Sequence, residues 1–425
     1  MMHQSQWLSS MILEQVLLGK NLDKSFELIF KKYINNIENV SQIKDMVYGA
    51  IRDLGKSNFY IDKLVKNKIE NKCIESLLHI VLFQICHARS NNFTLVNQAV
   101  EASKKIDYKK SSFINAVLRS FLRNKDVLQK ELKLNLSAFY SYPKWWIDKV
   151  KEQYPENWQV ILDIGNQRPP LTIRINKRKI KFKEYSKILD KEKINYTSVA
   201  GECLILDKAR EVNKIPGFLD GMVSIQDFGA QLAAHIIDLE DNQKVLDACS
   251  APGGKACHML ELKEIQLLAV ESDKKRIMKI HDNLKRENLT AKILHEKVAA
   301  KNEWWDKQYF DRILLDVPCS ASGIVRRHVD IKWLRRTNDF KIFSNNQLEL
   351  LRAVWPMLKK KGKLLYITCS IFEEENRNVI ERFKQDLNDI SELKITFPSN
   401  VVHINNQLIP SNNHDGLFYA LLKKN

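Results

Sequence analysis

The sequence holds no C-x-x-C pair and no Cys/His grouping with zinc-site spacing, so neither a metal ribbon nor a dithiol redox centre is expected. Its cysteines (Cys73, Cys86, Cys203, Cys249, Cys257, Cys319 and Cys369) are odd in number and scattered, which argues against a disulfide framework. A reduced, cytoplasmic chain is the expectation. Long apolar runs are missing as well. The most apolar stretch, Leu77 to Ile85, contains His79 and Gln84 and is too short to cross a bilayer. Met1 to Ser5 lacks the features of a signal peptide and no lipidation signal occurs, so no membrane partner is expected. Low-complexity segments and internal repeats are absent. So are G-x-G-x-x-G and, because Ala256 follows Lys255, the G-K-[ST] of a P-loop.

What is present in excess is positive charge. The 425 residues carry 68 Lys and Arg against 51 Asp and Glu, a formal charge of +17. A polyanion is the first partner to consider, and nucleic acid fits better than a membrane surface. A lysine-rich genome is the plain alternative. Residues 1–130 hold 20 basic against 12 acidic residues, so the excess is spread along the chain rather than confined to one tail. At this length, with 44% apolar residues, two or three domains each have enough chain for a core.

Three stretches differ in rhythm. In the first, residues 1–133, apolar positions recur at helical spacing, as in Leu77, Leu78, Val81, Leu82 and Ile85, and in Ile114, Val117, Leu118, Phe121 and Leu122. An all-α bundle is predicted. Arg119 and Arg123 lie one helical turn apart beside the second stripe, on a face that is either merely solvated or in contact with RNA. The second stretch, 134–240, is mixed α+β: Pro143 breaks the run before Trp145 and Trp146, and Leu171 to Asn176 alternates like a strand. From 241 to 425 strands alternate with helices, at 245–248, 265–270, 292–294, 310–316 and 363–368. That pattern predicts a parallel, doubly wound α/β sheet.

Chemistry-bearing residues gather where those strands end. Asp247-Ala248-Cys249-Ser250-Ala251-Pro252-Gly253-Gly254-Lys255 follows the first strand and opens a helix. Its glycines admit close backbone approach and the helix start offers free N–H groups, although a purely structural glycine turn reads the same way. Glu271 closes the second strand, where an acid can accept from ribose hydroxyls. Without a pyrophosphate fingerprint, a nucleoside cofactor is the better guess. Cys319 and Cys369 each follow a strand, in Asp316-Val317-Pro318-Cys319-Ser320 and Thr368-Cys369-Ser370. A lone strand-end cysteine is usually a small core residue. Two of them, one preceded by an aspartate, suggest covalent chemistry on an electron-poor ring.

Residues 241–425 resemble RNA cytosine-carbon-5 methyltransferases, and the Arg326 to Arg336 run is similar to their bacterial Sun-type (RsmB) subgroup. The resemblance rests on D-A-C-x-A-P-G-G-K, on Asp316 to Gly323, and on Thr368-Cys369-Ser370. The amino-terminal bundle resembles a NusB-like RNA-binding domain, notably in Ser112 to Arg119. The fold it implies is a NusB-like bundle, a small connector and a class I, Rossmann-like methyltransferase domain. It also implies S-adenosyl-L-methionine as cofactor and 16S ribosomal RNA as partner. By the same resemblance Cys369 is the nucleophile and Cys319 assists proton removal and release. Asp316 would hold the Watson–Crick edge of the base, and Lys255 would orient or polarise it. Cofactor contacts are expected from Cys249, Ser250, Ala251, Pro252, Gly253, Gly254, Lys255, Glu271 and Asp316.

One position departs from the pattern. The subgroup has an aspartate after the third strand that accepts from the adenine amine; here the matching residue is Lys297, which has no acceptor. Either Glu296 takes over, or the match is one residue out of register, or cofactor affinity is reduced. Two other readings stay open: the same reaction on transfer RNA or 23S ribosomal RNA, and a non-catalytic RNA-binding or ribosome-assembly factor.

Overall fold

A computed structural model of the chain describes residues 2–34 and 37–425. It divides into two units: residues up to Gln167 together with Val325–Arg335, and Arg168–Ile324 together with Arg336–Asn425. The first unit is helical throughout its described residues, as the periodicity predicts. Asparagine starts many of its helices. Asn21, Asn39, Asn71, Asn91 and Asn135 each accept a backbone N–H of the first turn, which satisfies donors the helix itself leaves unpaired. The helix Lys72–Cys86 is buried along nearly its whole length, which explains why it is apolar on every side.

The units do not follow the expected boundaries. Helices Leu136–Tyr140, Lys144–Gln153 and Trp158–Asn166, read as part of a mixed connector, belong to the helical unit. So does the basic segment Val325–Arg335. Within that unit Lys332 is buried, donates to Arg52 O at 3.0 Å and Asn166 Oδ1 at 2.7 Å, and lies 4.3 Å over the Tyr142 ring. Asp330 accepts from Leu22 N–H at 2.9 Å, and Trp333 Nε1 donates to Ile51 O at 2.9 Å. Such hydrogen bonds join residues between 166 and 308 positions apart, beyond the reach of any local pattern.

The second unit carries two sheets. Strands β1 (Leu171–Ile175), β2 (Tyr196–Ala200), β3 (Cys203–Leu206) and β4 (Val223–Ile225) form an antiparallel sheet ordered β2-β3-β1-β4. Its core is Ile173, Ile175, Leu204 and Leu206 against Tyr185 and Leu189 of the helix Phe182–Lys191. The larger sheet is built from β5 (Lys244–Asp247), β6 (Gln266–Glu271), β7 (Lys292–His295), β8 (Phe310–Asp316) and β9 (Leu358–Thr368). To these are added β10 (Ile390–Leu393), β11 (His403–Ile404), β12 (Gln407–Leu408) and β13 (Phe418–Lys424). Its order is β11-β12-β13-β9-β8-β5-β6-β7, with β10 beside β13. Strands β5 to β9 pair in parallel, and β13 returns antiparallel to β9.

Both faces of this sheet are covered. Along β8, Leu314 faces one apolar layer with Val245, Ile280 and Ile367, while Ile313 and Leu315 face another with Leu351, Val354 and Phe383. This is why these strands read as unbroken apolar runs. β13, another such run, was not singled out, since periodicity alone does not separate a short buried strand from a buried helix. The consequence for function is geometric. Strand order reverses at β5, so the carboxyl ends of β5 and β8 open the crevice where parallel α/β sheets take ligands.

Candidate active site

Adjacent strands β8 and β9 run in register with Leu315 opposite Tyr366 and Asp316 opposite Ile367, and Val317 N–H extends the ladder to Ile367 O. The two following turns therefore leave the sheet side by side. Cys319 and Cys369 end up with their sulfurs 3.3 Å apart, both half-buried. Gly323 closes the approach: its N–H donates to Cys369 O at 2.8 Å. A Cβ on Gly323 would stand 2.0 Å from Gly416 O, so only glycine lets these backbones meet. The hydrogen bond to Cys369 and burial push the Cys319 thiol well above its ordinary range.

Lys255, on the helix Gly254–Leu262, donates to Asp316 Oδ2 at 2.5 Å. Burial would lower the Lys255 pKa, but Asp316 outweighs it and the ammonium is held more firmly than usual. The four expected catalytic residues thus occupy one edge of one sheet. Asp247, at the end of β5, accepts from Ser250 Oγ at 2.9 Å through Oδ2, while its buried Oδ1 has no partner. Burial raises this carboxyl to about 7, with the Ser250 bond opposing and Asp316 adding.

The loop Cys249–Gly254 turns tightly, with Gly253 at φ +96 and its N–H donating to Ser250 O at 2.7 Å. Glycine is required at that φ. Its carbonyls are pinned from outside: Ala251 O accepts from Arg276 at 2.6 Å, Pro252 O from Asn283 at 2.9 Å, and Gly254 O from Arg174 at 3.0 Å. None of these three anchors was singled out, since each is a single polar residue outside the motifs. Glu271 is buried, and its carboxylate accepts from the N–H groups of Ala251, Ser272 and Asp273 and faces Arg276 at 3.4 Å. Glu296 follows β7, half-buried, with its N–H on Glu271 O at 3.2 Å, whereas Lys297 is exposed.

Glu375 was also overlooked. It is fully buried beneath both cysteine turns, within the acidic run Glu373–Glu375 that reads as a solvated surface. A separate polar cluster occurs in the same unit. Glu202 accepts from His235 at 2.7 Å, His258 at 2.9 Å and Lys177 at 2.8 Å, and with Lys177 and His235 it lines a cavity of about 500 Å³. Burial lowers the His258 pKa to about 3, so that imidazole is neutral, and these protein donors already satisfy the carboxylate.

Comparison with known proteins covers nearly the whole chain. A family model described as 16S rRNA methyltransferase RsmB/F matches residues 234–423, an RsmF/B-like ferredoxin-like domain matches 142–213, and the NusB family matches 3–123. Ribosomal RNA small subunit methyltransferase B of Shewanella oneidensis is 34% identical over 400 residues, 93% of each chain. The probable enzyme of the same name from Coxiella burnetii is 36% identical, across 92% of this chain and 94% of the relative. The crystal structure of PH0851 shares the fold with a TM-score of 0.78 at 23% identity, covering 99% of each chain. A methyltransferase homolog from Pyrococcus horikoshii gives a TM-score of 0.60 at 25% identity, covering 68% of this chain and 97% of that one.

Proposed function

We propose, on the premise that this chain belongs to the RsmB family of ribosomal RNA small subunit methyltransferases, that it methylates carbon 5 of a cytosine in 16S ribosomal RNA through a covalent Cys369 adduct. The observation that carries this reading is the contact between the Cys369 and Cys319 sulfurs at neighbouring strand ends. Substitution at an electron-poor ring carbon needs one group that adds and a second that takes a proton.

Carbon 5 of cytosine is a poor nucleophile. The Cys369 thiolate adds to carbon 6, forming a sulfur–carbon bond and moving electrons toward carbon 5. When bound, S-adenosylmethionine supplies a methyl group from its sulfonium centre to that carbon. Once Cys369 has added, Cys319 releases its own thiol proton to solvent and as thiolate takes the carbon 5 proton, and the electron pair left behind expels the Cys369 thiolate and restores the ring. Asp316 accepts from the exocyclic amine, and Lys255 is the proton-bearing partner beside ring nitrogen 3. The pairing of the two side chains supports a shared role at that edge.

The residues present suit a cationic nucleoside. Asp247, Glu271 and Asp316 end three neighbouring strands, and the unpartnered Asp247 Oδ1 offers an acceptor there. Cys249, Ser250, Ala251, Pro252, Gly253 and Gly254 would line the cofactor, Glu271 would meet the ribose, and Glu296 rather than Lys297 would meet the adenine. Residues 1–133 and the connector 134–240 would hold RNA, and 241–425 would carry out the transfer. A ribosomal RNA substrate and cysteines free of disulfides fit a cytoplasmic enzyme.

Bisulfite sequencing of RNA from cells with and without the protein tests this. One 16S cytosine should lose its protection when the protein is removed. A lost site in transfer RNA or 23S RNA would move the substrate, and no lost site would leave a non-catalytic RNA-binding role.

A further inference from the structure

Glu375 joins the two turns that carry the thiols. Its Oε1 accepts Ser320 N–H at 2.7 Å and the Gln347 amide at 3.3 Å, and its Oε2 accepts the hydroxyls of Ser320 and Ser370, the latter at 2.6 Å. Ser320 directly follows Cys319, and Ser370 directly follows Cys369. Gln347 also donates to Pro318 O at 3.1 Å, the residue before Cys319. Ser322 completes the network, bonding Ser370 Oγ at 2.9 Å and taking Ile371 N–H at 2.9 Å. Burial raises the Glu375 carboxyl above its ordinary range, and the four donated hydrogen bonds oppose that shift, an arrangement that suits the ionised form.

A buried charge is an expensive way to fasten two turns, since well-packed apolar side chains do so at less cost. Its charge therefore asks for a role beyond packing. The charged and titratable groups around the thiol pair are Glu375, Lys255 with its partner Asp316, and the buried Tyr366 phenol, which donates to Glu375 O at 2.6 Å.

We propose that Glu375 is the positioning residue of the thiol pair: through Ser320 and Ser370 it fixes the Cys319–Cys369 separation and sets a buried negative charge beside Cys319. The proposal rests on the carbon 5 reading and deepens it. A thiolate beside that charge binds a proton more tightly, which is the property needed to accept the carbon 5 proton. The same charge is among the causes that raise the Cys319 pKa.

The test compares full-length wild type, Glu375→Gln and Ser370→Ala. Alkylation of each cysteine by iodoacetamide, followed by peptide mass spectrometry from neutral to alkaline pH, reads the thiols without RNA or cofactor. Glu375→Gln should move the Cys319 profile down by roughly one pH unit, while Ser370→Ala, which keeps the charge, leaves it in place. In methyl-transfer assays both variants should lose about 10- to 100-fold in kcat with KM for RNA and cofactor within about threefold. An unmoved Cys319 profile in Glu375→Gln, or a loss carried entirely by KM, overturns the proposal. Should Glu375→Gln fail to fold, Glu375→Asp and Ser370→Ala decide it: kcat must fall in both, and unchanged kcat in both refutes it. If no methyl transfer to cytosine is found for wild type, the alkylation arm still judges Glu375, so the two failures are separable.

Discussion

Two sulfurs 3.3 Å apart are close enough to share one proton, and substitution can tell their proposed roles apart. Cys369→Ala should abolish both methylation and covalent RNA attachment. Cys319→Ala should accumulate a denaturant-resistant adduct, because addition proceeds while release stalls; gel electrophoresis under denaturing conditions distinguishes the two. Normal turnover by the Cys319 variant, or an adduct formed by Cys369→Ala, would show these roles to be wrong. Asp247 supplies a second test at this scale. Burial raises its carboxyl from 3.8 to about 7, so the folded state holds this proton more tightly than the unfolded chain. The stability linked to it is fully present below the unfolded value and is lost as pH rises from about 4 through about 7. Wild type should therefore weaken relative to Asp247→Asn across that window, by up to about 4 kcal/mol, in urea unfolding at a series of pH values. A pH-independent difference would show that Asp247 titrates normally in the folded protein.

At the scale of elements, the end of β7 is where an acidic cofactor contact was expected and Lys297 stands instead. Lys297 stands exposed one residue beyond Glu296, whose backbone continues the ladder onto β6. If Glu296 meets the adenine amine, Glu296→Ala should weaken S-adenosylmethionine binding by about 1–3 kcal/mol, the cost of an unpaired buried donor. Lys297→Asp should change little. Calorimetric titration of the three proteins checks this, and tighter binding by Lys297→Asp with a silent Glu296→Ala would mark a weakened site. The helical elements carry a different expectation. Arg119 and Arg123 are exposed on the helix Ser111–Leu132, and Lys109 and Lys110 are exposed in the turn before it, beside Tyr108 at 74% exposure. Changing these four basic residues to alanine should weaken binding to structured RNA and flatten its salt dependence, since fewer counterions are released. Binding curves at several salt concentrations would show an unchanged slope if this face is merely solvated.

For the whole molecule, the segment Val325–Arg335 shows how a distant part of the chain completes the helical unit. Val329 enters that unit's core beside Ile51 and Phe83. Burial drives the Lys332 pKa well below its usual range, yet its amine still bonds Arg52 O and Asn166 Oδ1. Lys332→Met keeps the apolar stem and removes both hydrogen bonds, so unfolding stability should drop by about 1–3 kcal/mol. Chemical denaturation measures this. No change would mean the segment only rests on the unit's surface.

The sequence by itself determined the elements and the residue types at their ends. Strand-length apolar runs broken by Gly-, Pro- and Cys-bearing turns reveal a sheet covered on both faces, because such strands have no polar side to show. The residues that follow those strands must then share one edge, so Cys319, Cys369, Asp316, Lys255 and the glycine loop were legible before any coordinates. What the tertiary structure alone decided is which polar residues are buried and what they hold. Glu375 sits in a run of three acids and reads as surface; only the convergence of the β8 and β9 turns puts it under both thiols. Arg174 reads as one more basic residue in an alternating strand, yet it is fully buried and grips Gly254 O and Glu261. The Arg326–Arg336 run marks a family in one dimension, but the place of Arg326–Arg335 in the helical unit depends on hydrogen bonds such as Trp333 to Ile51, 282 residues apart. Local pattern reports the period of burial along a segment, whereas these pairings depend on which segments meet, and that is settled by the packing of the whole chain.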